Sequence, residues 1–470
     1  MYTYQDLQAV GADERDRMTF CLNVIDEHKA TAAYDEAVIA NEYDKQRNVT
    51  INTYRKLLYT MKGQEVPDNY SANYKCASNF FHRFVVQQTQ YLLGNGIAFK
   101  DKNIKDKIGG DKFDRVLKTV GRGSLREGVS FGFYNLNKVQ VFSFLEFAPL
   151  YDEETGALSA GVRFWQIADD KPLRFTLYEI DGYTDYIKRD DGEAEVYNEK
   201  RAYILDIQKT GDEEEIVAAR NYPSFPIVPC YGNNRQSLIV GMRENIDVYD
   251  LIKSGFANDV DDASMIYWTL QNAGGMDDID LAKFVERMHT VKAAVVSEQE
   301  GATAEAHTMD VPTAAREALL TRVEADLYRD AMALNVNQIS GGNITATAIN
   351  AAYDPQDGNA SDFEDNICDF VDGILFLAGY DSDTEYTFKR SRIANQLEET
   401  QMILAAAQYM DQQTILEHLP FLSADEIEGI IARTTGEEMS RYADTDADTD
   451  NATDEGEEED ADAITETEEQ

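Results

Sequence analysis

The stretch Asn335–Asn350, NVNQISGGNITATAIN, gathers a Gly pair, several amides and several hydroxyls, and carries no charge in a very acidic chain. Glycines beside hydroxyl residues suit a phosphate-cradling loop, which also needs a Lys to reach the outer phosphates and a strand leading into it. Both are missing here. The stretch therefore reads as a connector or a contact surface rather than a nucleotide site. Two acidic groups have the chemistry to hold Mg²⁺: Asp259, Asp261 and Asp262 in NDVDD, and Asp277, Asp278 and Asp280 in GGMDDID. On an acidic chain such groups are more often a solvated face. Asp446–Glu457, DADTDNATDEGE, puts acids at the first, third, fifth, ninth and twelfth positions of a calcium loop. Asn451 replaces the turn Gly, Thr453 replaces an apolar residue and no helix pattern flanks it, so a solvating segment is the better account. His28, His82, His289, His307 and His418 are not spaced as a metal pair, and there is no HExxH, GxSxG or Walker A. No nucleophile–base set can be assembled, so neither enzyme chemistry nor a cofactor is implied.

The whole-chain numbers narrow the classes further. The 470 residues suffice for several domains, and 43% hydrophobic with 10% aromatic residues is a globular composition. A formal net charge of −44 repels nucleic acid at long range, which argues against a sequence-specific DNA binder. It does not exclude a protein that touches DNA without gripping it. After Arg441 no basic residue occurs, which predicts a disordered acidic tail over 442–470. Cys21, Cys76, Cys230 and Cys368 are far apart with no CxxC, as expected of reduced thiols in a protein made in the cytoplasm. The polar N-terminus does not read as a signal or transit peptide, and no apolar run is long enough to span a bilayer, so a soluble protein is expected.

Hydrophobic periodicity supplies the elements that must position these residues. Helical patterns run over Asp13–Ile39, Tyr70–Leu93 and Asp111–Gly128. From Phe131 to about Pro229 the period becomes two, in short aromatic and β-branched runs separated by turn signals, which predicts an antiparallel sheet or small sandwich. Val240–Asp262 then reads as a long helix with Ile246, Tyr249, Ile252, Phe256 and Val260 on one face. A mixed segment, Ile279–Met309, separates it from a second long helix near Pro312–Leu334, with Leu320, Val323, Leu327, Ala331 and Leu334 on one face. An apolar-rich helix, Ser361–Ala378, and a helical region, Ser391–Thr434, follow. Ser423 and Glu426 stand there at capping-box spacing. Two long helices around a small insert make a stalk with the insert at its tip. The fold class is α+β.

In their order, NYKCASNFFHRFVVQQTQYLLGNGI, FAPLYDEETGALSAGVRFWQ, FPIVPCYGNN with GMRENIDVYDLIKSGFANDVDD, and PTAAREALLTRVEADLYRDAM with SGGNITATAI resemble the portal proteins of long-tailed double-stranded-DNA bacteriophages. The resemblance covers roughly residues 15–435 and rests on order and spacing more than on any single motif. It implies a β-rich wing over 1–239, stem helices over 240–262 and 312–334, and a clip over 263–311. It also implies a tunnel-loop region over 335–350, a returning wing helix and strand over 351–390, and a crown over 391–441.

On that resemblance the subunits close into a ring, usually of twelve, at one capsid vertex of the virion, where DNA is packaged and ejected. Closure follows from head-to-tail contacts. The implied partners are other copies of the chain, double-stranded DNA held transiently and without sequence preference, the terminase, the head–tail adaptor, and capsid and scaffold proteins, with no membrane. Asn337, Gln338, Ile339, Ser340, Gly341, Gly342 and Asn343 would form the DNA-facing loop, whose neutral donors allow weak, exchangeable phosphate contacts. Lys283, Arg287, His289 and Lys292 would lie in the clip that meets adaptor and terminase. The competing readings are another head–tail component of the virion and an acidic, metal-dependent cytoplasmic enzyme. The acidic tail matches no motif of the family.

Overall fold

The computed structural model describes residues 2–59, 63–67, 73–189, 192–210, 213–263, 267–271, 283, 286, 303–307, 312–336, 346–380, 384–391, 403–419, 427 and 429–434. Its contacts divide the chain into two units, Met1–Ser391 and Arg392–Gln470.

The first unit opens with four helices: α1 (Tyr4–Val10), α2 (Glu14–Lys29), α3 (Ala32–Asp44) and α4 (Val49–Thr53). Each starts at a side-chain cap: Thr3, Asp13, Thr31 and Asn48 accept from the backbone N–H of Asp6, Arg15, Tyr34 and Ile51. The Thr31 cap is why the single helical pattern over 13–39 is in fact two helices. A short ribbon of β1 (Leu57–Tyr59) with β2 (Glu65–Pro67) leads to α5 (Phe80–Leu93). Helix α5 begins ten residues later than the sequence pattern suggests, and residues 73–79 before it are neither helix nor strand. Then come β3 (Ile97–Phe99), α6 (Lys102–Lys107) and α7 (Asp111–Glu127).

The period-two region is all antiparallel, as its alternation predicts. Strands β4 (Val129–Asn135) and β5 (Lys138–Ser143) are followed by β6 (Phe147–Tyr151), β7 (Leu158–Trp165), β8 (Leu173–Glu179), β9 (Gly182–Lys188) and β10 (Ala194–Arg201). The last three are β11 (Ile204–Thr210), β12 (Glu213–Arg220) and β13 (Ile227–Tyr231). They form a five-stranded sheet in the order β10-β9-β8-β7-β6, a three-stranded sheet β13-β4-β5, and the separate ribbon β11-β12. Helices α1 and α2 cover the five-stranded sheet, with Phe20, Val24 and Ile25 in one core with Val162, Phe175 and Leu177.

The larger core joins α3, α5, α7, β4 and a later helix, α10 (Ala346–Leu377), through Phe84, Leu117, Phe131, Phe363 and Phe370. Strand β4 is buried at almost every position because helices and a sheet cover both its faces. Gly132 makes this possible: a Cβ there would stand 2.5 Å from the Phe370 ring. The end of α7 is tied to the sheet by the buried Glu127. Its carboxylate accepts from Arg126 Nη2 at 2.7 Å, Asn41 Nδ2 at 3.0 Å, Ser143 Oγ at 2.6 Å and the Phe144 N–H at 2.9 Å.

Between β13 and α10 lie α8 (Arg243–Ala263), β14 (Tyr267–Gln271), β15 (Thr303–His307) and α9 (Thr313–Asp330). Helix α10 corrects the sequence reading, which places its start at Ser361. It begins fifteen residues earlier and runs straight through Pro355. Proline in a helix interior removes a hydrogen bond and normally ends the helix. Here Tyr353 and Ala360, on either side of it, are buried against Tyr91 and Leu334, and that packing offsets the loss. The first unit closes with β16 (Tyr386–Phe388) paired to β3.

In the second unit the short helix α11 (Gln412–His418) is capped by Asp411, which accepts the Thr414 N–H at 3.0 Å. The Thr414 hydrogen bonds hold the Asp411 carboxyl below its ordinary pKa. Residues 429–434 are helical. The capping box expected at Ser423 and Glu426 lies outside the described residues, as do 435–470.

Candidate functional site

Helices α8 and α9 pair side by side. Arg316 near the start of α9 forms an ion pair with Asp259 near the end of α8, and its guanidinium lies 5.9 Å from the centre of the Phe256 ring. At the opposite end Asn245 Nδ2 donates to Asp330 at 3.2 Å. The two contacts fix the helices as antiparallel. On α9, Val323 and Leu327 are buried, and Ala331 and Leu334 just beyond it are buried too, four of the five positions on the expected face. Tyr328 joins them, edge-on to Phe80 and Phe84 of α5 and bonded through its hydroxyl to Arg83.

Helix α8 differs from the expected amphipathic face. Val260 is exposed, whereas Asp250 and Ser254 are buried. The cause is the segment 73–78, which lies along α8 and donates every second N–H to it. Tyr74 N–H donates to Asn258 Oδ1 at 2.7 Å, Cys76 N–H to Ser254 Oγ at 2.9 Å, and Ser78 N–H to Asp250 Oδ1 at 2.8 Å. Two residues of extended chain advance about 6.6 Å, and four residues of helix about 6 Å, so the two repeats stay in step. Asp250 also accepts from Asn48 Nδ2 at 2.8 Å. Burial raises its pKa above the ordinary carboxylate value, while the Asn48 and Ser78 hydrogen bonds oppose that rise. One turn earlier Asp247 accepts from Thr50 Oγ1 at 2.7 Å and from the Tyr43 hydroxyl. A cleft of about 290 Å³ beside this seam is lined by Tyr54, Tyr74, Lys75, Leu251, Gly255 and Asn258, among others. The alternation of donors along 73–79 carries no sequence signature, because backbone N–H groups are the donors.

Helix α9 ends at Asp330, four residues before the sequence pattern does. Met332 has φ +49°, and the N–H groups of Met332 and Ala333 donate to Arg329 O at 3.1 Å and Tyr328 O at 3.0 Å. This is the hydrogen-bond pattern of a Schellman stop, with Met where glycine is usual. The apolar repeat continues past the stop because Leu334 still packs, in a cluster with Tyr91, Tyr353 and Ala360.

The neutral stretch singled out in the sequence begins just there. Asn337, Gln338, Ile339, Ser340, Gly341, Gly342 and Asn343 all lie outside the described residues, and the residues on either side are anchored. On the entry side Gln87 Nε2 donates to Leu334 O at 3.0 Å. On the exit side Tyr353 of α10 stacks on Tyr91 of α5 with centroids 5.7 Å apart. The Tyr91 hydroxyl bonds Asp357, and Arg390 reaches Asp357 at 2.9 Å, Ser361 Oγ at 2.8 Å and Glu364 at 3.0 Å. Both ends of the stretch are thus fastened to α5.

At the far end of the α8–α9 pair, β14 and β15 form a two-stranded antiparallel ribbon from Tyr267↔His307 to Gln271↔Thr303. The ribbon has no clear sequence signal, since YWTLQ and TAEAH are too short to stand out. Of the clip residues expected to meet partners, Lys283 is helical and exposed, while Arg287, His289 and Lys292 lie outside the described residues. So do Asp277, Asp278, Asp280 and Asp446–Glu457. In the other acidic group Asp259 is engaged by Arg316, and no metal-binding cluster forms among the described residues. His28 is buried, bonded to Phe144 O at 2.8 Å, and burial lowers its pKa. The four cysteines are free thiols, Cys21 and Cys230 buried and Cys76 and Cys368 half-buried. No described helix is long and apolar enough to cross a membrane.

The described residues thus show an antiparallel helix pair with a two-stranded ribbon at one end and, at the other, a neutral stretch whose two ends are fastened to α5. The chain belongs to the family described as "Phage portal protein, SPP1 Gp6-like", whose sequence model matches residues 36–452. Phage portal proteins are virion components and structural rather than enzymatic.

Among individual relatives, the portal protein of Bacillus phage SPP1 is 24% identical over 429 residues, covering 84% of this chain and 82% of that protein. The portal protein of Clostridium phage phiCD119 is 26% identical over 225 residues, 46% of this chain and only 49% of that protein's length. Among solved structures, a chain of the virion of a native gene transfer agent particle is similar with a TM-score of 0.40 and 10% identity, over 75% of this chain and 89% of that one. A chain from the neck of the same kind of particle, computed with C12 symmetry, gives 0.40 and 11%, over 73% and 90%. The family assignment stands on the sequence matches.

Proposed function

We propose that this portal protein closes into a ring, of twelve subunits, at one vertex of the capsid and forms the channel through which DNA is packaged and ejected. In that ring α8 and α9 are the stem, residues 263–311, with β14 and β15, are the clip that receives terminase and the head–tail adaptor, and residues 337–343 are the loop that meets DNA. The observation that supports this reading best is the pairing of α8 with α9 around a strand-framed insert, followed directly by the clamped neutral stretch. The electrostatics suit the role. Each phosphate gripped by a Lys or Arg adds affinity and salt dependence, and a ring multiplies that by its subunit number. A chain of net charge −44 with an uncharged loop lets DNA slide.

The test is packaging by heads assembled with Gln338→Lys and Asn343→Lys together. Ring assembly should be unchanged and DNA translocation slowed, because the new contacts are charge-assisted. Packaging at the unsubstituted rate would remove the loop from the DNA path.

A further inference from the structure

Helix α7 carries Lys112, Arg115, Lys118 and Arg122 at steps of three, three and four residues, on one face. In a chain with 87 acidic and 43 basic residues the ordinary fate of a cation is an ion pair. Among the described residues none of these four forms one, and the only acid between them, Asp114, turns away to Lys105 at 2.8 Å. Lys118 donates to Gly94 O at 3.0 Å, and Arg122 Nε is buried without an acceptor.

Helix α10 carries the opposite arrangement. Asp362, Asp365, Asp369 and Asp372 are exposed at steps of three, four and three residues, and the helix contains no Lys or Arg. Among the described residues none of the four is ion-paired; Asp372 only accepts from the Tyr386 hydroxyl at 2.7 Å. Both stripes span ten residues, about 15 Å of helix. Phe376, 54% exposed, lies one turn beyond the acidic one. Within one subunit the stripes do not meet: α7 touches α10 through Gly121, Phe363 and Ile367, which belong to neither charged face.

From this complementarity we infer that the cationic face of α7 in one subunit docks on the acidic face of α10 in the next copy of the chain. Two different, matching surfaces on one chain are what a head-to-tail contact requires, and charge matching fixes the register of such contacts. The contact also explains how subunits of net charge −44 associate despite their mutual repulsion. The inference rests on the reading of this protein as a ring.

The experiment is a charge swap in the full chain. One variant carries Lys112→Glu, Arg115→Glu and Arg122→Glu; a second carries Asp362→Lys, Asp365→Lys and Asp369→Lys; a third carries all six. Each is examined by light scattering after size exclusion and by negative-stain microscopy, with far-UV circular dichroism and the thermal midpoint as fold controls. Like charges facing each other should weaken assembly of either single-face variant about a hundredfold or more, leaving folded subunits where the parent chain forms rings. The six-fold variant restores opposite charges and should form rings again. A gentler pair, Arg115→Gln and Arg122→Gln, should raise the assembly midpoint concentration about tenfold. Rings formed by either folded single-face variant at the parent's concentration would overturn the inference, as would folded six-fold variant that stays unassembled. Normal rings combined with lost binding of a 30-base-pair duplex would make α7 a nucleic-acid contact and equally overturn it. Failure of the parent chain itself to form rings would instead refute the proposed function.

Discussion

Replacing Asp250 by Ala should loosen the seam between α8 and residues 73–79. The carboxylate accepts a buried hydrogen bond from Asn48 Nδ2 and a half-buried one from the Ser78 N–H, each at 2.8 Å. Hydrogen bonds to a charged group are worth about 1.5–3 kcal/mol each, or about 3–6 kcal/mol for the two. The desolvation that raises the Asp250 pKa is relieved by the substitution and offsets part of this. A net loss of about 2–4 kcal/mol remains, which is a urea midpoint lowered by about 1 M if m is about 3 kcal/mol/M. Hydrogen exchange locates the effect: the Ser78 amide should exchange faster in the variant, followed by Cys76, whose acceptor Ser254 sits one turn along. A midpoint within the error of the parent, together with unchanged exchange at Ser78, would refute the seam as a source of stability.

Asp250→Asn gives a pH test at the same position. The folded pKa is raised, so between the ordinary value of 3.8 and the raised value the folded state binds more protons than the unfolded chain. Stability from this carboxyl therefore declines as pH rises through that window, and the amide does not titrate; the parent should lose ground to the variant from about pH 4 upward, read from urea midpoints at a series of pH values. Leu334→Ala removes the side chain that fills the cluster of Tyr91, Tyr353 and Ala360. It should cost about 2–4 kcal/mol, measured by chemical denaturation, with proteolysis within 337–345 accelerated. Gly132→Ala would set a Cβ 2.5 Å from the Phe370 ring; a loss of about 1–3 kcal/mol or more in thermal or urea unfolding is expected.

The parts legible in the sequence were those set by short-range pattern. The period-two run became the antiparallel strands β4 to β13, and the two long amphipathic runs became α8 and α9 with Val323 and Leu327 inside. What was not legible came from partners distant in sequence. The apolar face read for α8 included Val260, which is exposed, and left out Asp250 and Ser254, which are buried because a segment about 175 residues earlier lies on them. The apolar run was legible only from Ser361, yet α10 starts at Ala346 and passes through Pro355, where Tyr353 and Ala360 pack with Tyr91 and Leu334. Met332 in the left-handed region has no residue-type signal and ends α9 early. For the candidate site, the sequence located the neutral stretch but not its anchors. Gln87, Tyr91, Asp357 and Arg390 are scattered over three hundred residues and meet only in the fold.

Closure of copies of this chain into a ring around a channel underlies the proposed function. Negative-stain microscopy of the purified full chain, with mass measured by light scattering, tests it most directly. Closed rings with a central hole and a mass close to twelve subunits of 52.9 kDa are expected. A protein that remains a monomer at every concentration and salt, and shows no ring in assembled heads, would contradict it.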